Sequence, residues 1–224
     1  MTLLITGALA FLLTHLGVSS TPLRGMLVSA VGEGAYLGIY SLLAAGTLGL
    51  LIYGYASVPH YDFLWVPGIA ALGLAKAVMP VALILVMSGL LSRNPTSVGM
   101  DNAVKGELAG IFRIVRHPLQ WGILLWALSH IVANGDVASL VFFGAFALLS
   151  AVGMLAMDAK RRHRPEPEWQ QFYATTSWFP FVALVTGRTR LRLADINWIA
   201  VAAGLVLYVL LFLFHGQIAG VALV

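Results

Sequence analysis

The chain predicts an all-α fold: a polytopic integral membrane helical bundle of about six transmembrane helices, with one interfacial amphipathic helix. Three observations predict it. Only 10% of the 224 residues are charged while 60% are apolar, and the mean hydropathy is +0.90; a soluble domain needs roughly 25% charged residues to cover its surface. The apolar stretches are long and continuous, unlike the short alternating segments of a transmembrane barrel. The Lys and Arg residues between those stretches alternate from one connection to the next.

Taken in order, apolar runs at 2–18, 35–55, 64–91, 119–133, 137–157 and 195–217 are the expected spans. The first has no Lys or Arg ahead of it and no small-residue cleavage site, so it reads as a retained span rather than a signal peptide. The third is long, with a tilt or bend expected near Pro80. The fourth is the shortest and needs to begin near Pro118. No repeat or low-complexity tract interrupts the chain, which predicts a single transmembrane domain over 1–224. Cysteine is absent, which removes disulfides, thiolate zinc sites and cysteine nucleophiles.

The stretch 19–34 holds one basic residue (Arg24), 92–118 holds four (Arg93, Lys105, Arg113, Arg116) and 158–194 holds seven, whereas 56–63 and 134–136 hold none. By the positive-inside rule the basic connections are cytoplasmic and both termini lie on the non-cytoplasmic side. The same distribution explains the pI near 9.6. Charge beside spans points to topology and to membrane lipid as partner, not to nucleic acid.

Ionisable side chains at membrane depth are costly and usually functional. The candidates are His15 in the first span, Lys76 in the third and His130 in the fourth, with His117 where the fourth begins and His215 near the outer end of the last. Lys76 has no intramembrane acid to pair with. It either snorkels, bonds carbonyls freed by Pro80, or partners an anionic ligand. His15 and His130 are either packed histidines donating to carbonyls or ligands of a shared metal group, because imidazole is the commonest metal ligand.

In 104–116, Val104, Leu108, Ile111, Phe112 and Val115 recur at helical spacing opposite Lys105, Glu107, Arg113 and Arg116, predicting the amphipathic helix. Pro118 suits the first turn of a helix, which puts Arg116 and His117 at a helix N-terminus where an anion is favoured. A propionate, a carboxylate or a lipid phosphate fits there. The segment 158–194 predicts a short helix ending near Trp178-Phe179-Pro180 that either caps a cavity or binds lipid.

Thr14-His15-Leu16-Gly17, leading to Leu23-Arg24 and Gly32-Glu33, resembles the opening of the NnrU family. So do the run from Gly110 through Arg116-His117-Pro118 to Gly122, the stretch Leu125 to His130 with Asn134-Gly135, and Trp178-Phe179-Pro180-Phe181 to Gly187-Arg188. The resemblance covers about residues 10–215. That family includes bacterial proteins associated with nitric oxide and nitrite metabolism, and the zeta-carotene isomerase of plants. It implies a protein of the plasma (inner) membrane of a bacterium that binds haem b. The implied iron ligands are His15 and His130, with Arg116, His117 and Lys76 near the propionates. An apolar molecule or a small gas is the implied ligand. The isomerase's alternative cysteine ligand falls on Ala127 here, so a ligand switch through that position is not available. The helical rise sets His130 about 20 Å from His117 along the fourth span, and His117 competes with His130 as second ligand.

Whether the chain is an enzyme stays open on these residues. The resemblance implies haem-dependent polyene isomerisation first. A more distant likeness of Arg116-His117-Pro118 with Glu168 through Pro180 to isoprenylcysteine carboxyl methyltransferase implies S-adenosylmethionine-dependent methyl transfer second. A non-enzymatic assembly or regulatory partner is the remaining alternative.

Overall fold

The structure, a computed structural model, describes residues 1–18, 21–97, 99–221 and 223. The described residues are helical throughout, apart from connections and one isolated bridge between Phe63 and Asp136. The helices are α1 (Thr2–Leu12, continued as a π-helical turn Leu13–Val18), α2 (Leu23–Val31), α3 (Glu33–Ala56), α4 (Ile69–Leu91), α5 (Gly110–Ile114), α6 (Pro118–Asn134), α7 (Val137–Arg161), α8 (Pro167–Thr175), α9 (Val182–Val185), α10 (Trp198–Leu213) and α11 (His215–Ala219).

Among the described residues, α3, α4 and α7 are each long and apolar enough to cross a membrane. The pair Thr2–Val18 and Leu23–Val31, bent by 79°, makes a fourth candidate if it is one broken span. The two other expected spans are realised as shorter helices. α6 has 17 residues and α10 has 16, or about 24–26 Å at 1.5 Å per residue against a hydrocarbon core of about 30 Å. Side chains such as Leu42, Ile69 and Ile199 are 78%, 91% and 77% exposed. Such faces are stable only against lipid, and the protein is a helical membrane protein.

The chain forms two compact units, each drawn from two stretches: 1–75 with 127–156, and 76–126 with 157–224. In the first, α1 and α3 pack at backbone distance. A Cβ on Gly7 would lie 2.9 Å from the Leu51 Cα, and one on Gly54 would lie 2.8 Å from the Leu4 Cα. Leu4 and Leu51 are fully buried as a result. The turn before α7 is built on Gly135, whose φ of +76° is open to glycine and which carries the Trp65 carbonyl against its Cα. Asp136 then caps α7, accepting from the Ser139 N–H at 2.9 Å.

In the second unit, the stretch 104–116 is not one helix. A 3-10 turn (Asp101–Lys105) and α5 are separated by Gly106, whose backbone is extended (ψ −179°). The expected apolar face nevertheless exists. Phe112 is buried against Trp169 and Phe172 of α8, with Val104, Leu108 and Ile111 packed around them. The face is spent on the protein's own interior, and the surface helix over 158–194 is realised as α8.

Candidate functional site

In the first unit, three helix faces converge as rows of rings. Phe11 and His15 stand four residues apart on α1 and its π turn, Phe142 and Phe146 four apart on α7, and Tyr36 and Tyr40 four apart on α3, so each pair shares a face. The rings form one continuous ladder. His15 lies 4.4 Å from Phe11, Phe11 5.1 Å from Phe146, Phe146 5.3 Å from Phe142, and Phe142 5.1 Å from Phe143. Phe143 lies 4.8 Å from His130. Beyond Phe142 the ladder reaches Tyr55 at 4.3 Å and His60 at 4.6 Å. Beyond His15 it reaches Tyr40 at 6.1 Å and Tyr36 at 5.7 Å. The two histidines singled out in the sequence therefore belong to one unit and one aromatic row.

His15 is positioned by its backbone. Its Nδ1 lies 2.8 Å from the Phe11 carbonyl oxygen. A carbonyl only accepts, so the bond calls for the Nδ1–H tautomer and makes Nε2 the ring's lone-pair nitrogen. The turn around it is π-helical, a local geometry that recurs at functional sites. His130 lies in the last turns of α6, where its carbonyl accepts from the Asn134 side chain at 2.8 Å. Among the described residues no group of three or more His, Cys, Asp or Glu side chains could hold a metal ion by itself.

In the second unit, Arg116 and His117 lead into α6, and their anion is supplied by the chain itself. The Asp158 carboxylate on α7 accepts from Arg116 Nη1, from His117 Nε2 at 2.7 Å and from the Tyr173 hydroxyl at 3.2 Å. Arg116 Nε donates to the Thr176 hydroxyl at 2.9 Å, Nη2 to the Thr176 carbonyl at 3.2 Å, and the guanidinium lies 4.3 Å over the Tyr173 ring. His117 is fully buried. Burial lowers its pKa below the ordinary histidine value and, with the nearby Arg116 and Arg161 charges, outweighs the hydrogen bond it donates to Asp158 and the charge of that carboxylate. Burial, then the Asp158 charge, pushes the Tyr173 hydroxyl up. His117 is thus a neutral donor through Nε2, and its buried Nδ1 makes no hydrogen bond.

Phe181, just past this network, is the one described non-glycine residue with positive φ (+66°), held there by its N–H on the Ile114 carbonyl at 2.7 Å. Lys76 bonds a carbonyl far along the chain rather than one freed by Pro80. Its Nζ donates to the Leu223 carbonyl at 2.7 Å and lies 5.7 Å from the Phe212 ring centre. His215 likewise meets a backbone carbonyl, that of Val221, at 2.7 Å.

Asp158 is the residue sequence reasoning missed. It sits four residues before Arg162 in a run dominated by Lys160, Arg161, Arg162 and Arg164, and that basic run sets the reading of the segment. The available signal was its place on α7 as the last acid before the basic run.

A cavity of about 470 Å³ in the same unit lies between residues 93–108 and 167–175. Neither Arg116 nor His117 lines it. Compared with known families, residues 3–223 match the family model described as NnrU protein. No curated protein and no solved structure matches the chain.

Proposed function

The chain belongs to the NnrU family, and from that premise we propose that it is a haem-b protein of bacterial nitrogen-oxide or redox metabolism, with His15 and His130 as axial ligands. The strongest support is the ring ladder that runs from His15 through Phe11, Phe146, Phe142 and Phe143 to His130 within one compact unit. A porphyrin needs imidazole donors in apolar, aromatic surroundings, and His15 and His130 each lie against a phenylalanine ring, Phe11 and Phe143. The Phe11 carbonyl fixes the His15 tautomer and orients its ring, as second-sphere partners of metal-binding histidines do.

The propionate partners fit less well. Asp158 already matches the charge of Arg116, His117 is neutral, and Lys76 is bonded to the Leu223 carbonyl. We assign Arg116 and His117 to Asp158, as the brace that holds the start of α6. The methyl-transfer alternative loses support from the same geometry, since the cavity beside 167–175 is not lined by the Arg116-His117 pair.

When bound, a haem would supply one-electron redox chemistry and an iron able to take a small gas such as nitric oxide, and His15 and His130 are the residues that would hold it. The chain's part would be to hold the group through His15 and His130 and to exclude water with Phe11, Phe142, Phe143 and Phe146. The membrane is the bacterial inner membrane, with both termini on its non-cytoplasmic side. The test is a visible spectrum of the detergent-purified protein, oxidised and dithionite-reduced, before and after nitric oxide. The expected result is a Soret band with sharp reduced α and β bands that shift with nitric oxide. A colourless protein from haem-replete cells overturns the reading.

A further inference from the structure

The cavity in the second unit has a lining that the haem reading does not use. Arg93 and Lys105 bring two positive charges to it, Glu107 and Glu168 bring two negative ones, and Leu108 and Phe172 supply apolar wall. At about 470 Å³ it falls within the roughly 300–1,000 Å³ of small-ligand sites. Five arginines of this unit form ion pairs, with Asp101, Asp158 or Asp195. The four charged side chains at the cavity do not: among the described residues none lies within ion-pair distance of an opposite charge. All four are exposed side chains that line one opening, charges of both signs side by side, and Glu107 also acts on the Arg192 charge.

The walls are held in place. Phe172 is buried against Phe112 and Trp169. Asp101, at the start of the 3-10 turn that carries Lys105, accepts from Arg161 at 2.8 Å and pairs with Arg164 at 3.1 Å. Both arginines also lie over the Trp169 ring, at 5.6 and 5.4 Å. On the same wall as that turn the Arg93 guanidinium lies against Gly106, where a Cβ would come within 3.1 Å of Nη1. A side chain at Gly106 would displace the cation. Arg93 follows the last residue of α4, Leu91, by two positions, where an apolar helix has ended.

A ligand that satisfies this lining carries an anion and a cation a few ångströms apart. We propose that the cavity binds a phosphoethanolamine-type zwitterion, its phosphate on Arg93 and Lys105 and its primary ammonium on Glu107 and Glu168. Charge-assisted hydrogen bonds to phosphate and from ammonium suit both ends. A quaternary ammonium has no N–H to give to the glutamates and is held instead by aromatic cages; the lining offers one aromatic ring, Phe172. A purely anionic headgroup leaves both glutamates opposed to it. The group comes either from phosphatidylethanolamine, whose chains would follow the apolar wall, or from a soluble phosphoethanolamine ester.

The test uses the full chain purified in detergent and measures retained lipid by native mass spectrometry. Equal amounts of phosphatidylethanolamine, phosphatidylcholine and phosphatidylglycerol are supplied, with glycerophosphoethanolamine as a water-soluble competitor. The expected result is preferential retention of phosphatidylethanolamine, lowered about tenfold by Arg93→Ala and by Glu168→Gln. Arg162→Ala, an exposed position away from the lining, leaves retention unchanged. Displacement by glycerophosphoethanolamine at the concentration of lipid assigns the site to a soluble ester; resistance to it assigns the site to the lipid. Equal retention of the three lipids, or retention unaffected by both variants with their helical content and melting intact, overturns the proposal. No haem measurement enters the outcome, so this site and the haem reading stand or fall separately.

Discussion

Asp158 is a single carboxylate with three donors on it, and its removal strands Arg116, which is 8% exposed, and His117, which is fully buried. Breaking a buried pair by removing one partner costs about 3–5 kcal/mol. Asp158→Ala is expected to lose stability in that range, whereas Tyr173→Phe, which deletes one hydrogen bond, loses about 1 kcal/mol; thermal unfolding in detergent checks both. His117 gives the network a pH dependence. Its pKa is lowered in the folded protein, so the unfolded chain binds the proton more readily, and acid favours unfolding. The stability is fully present above the unfolded value of about 6.5 and declines as the pH falls from there through the lowered folded value. His117→Gln is expected to flatten the unfolding profile over that interval. An unchanged slope would mean that another group titrates. None of this was legible in the sequence, because the Asp158–His117 contact joins residues 41 apart and periodicity carries no information about such pairings.

Helices α3, α4 and α7 were legible, since each is a continuous apolar run long enough to span. The stretch 104–116 was legible in part. Its apolar spacing correctly marks the residues that pack on Trp169 and Phe172, but the backbone turns extended at Gly106, a weak helix former, and the helix breaks there. What the pattern could not give is the identity of the covering surface, which is protein rather than lipid. Likewise the glycines of α1 and α3 read as ordinary members of apolar spans until Gly7 and Gly54 are seen against Leu51 and Leu4. Gly54→Leu is expected to force the two backbones apart and to lower stability by about 1–3 kcal/mol or more. Gly46→Leu on the same helix, where nothing lies within 4 Å of an added Cβ, is expected to change melting little. Equal effects of the two would remove the close approach from the account.

Across the whole chain, the alternation of basic connections predicts one orientation. Single cysteines introduced at Ser57 and Ser97 are expected to label with an impermeant maleimide from opposite sides of the membrane, Ser57 from the non-cytoplasmic side; labelling of both from one side contradicts that topology. The ring ladder with His15 and His130 belongs to one compact unit, while the Asp158 brace and the charged cavity belong to the other. The histidines were legible as intramembrane ionisable residues and their pairing came from the family resemblance; that Phe11, Phe142, Phe143 and Phe146 connect them required the helix packing. The most direct test is haem content by pyridine haemochrome, with low-temperature electron paramagnetic resonance of the ferric protein, for the unaltered chain, His15→Ala, His130→Ala and His117→Ala. The account predicts about one haem per chain with a low-spin bis-imidazole signal, lost or converted to high spin in the first two variants and kept in the third. A haem that survives both His15→Ala and His130→Ala with its low-spin signal intact, or that is lost only in His117→Ala, contradicts it.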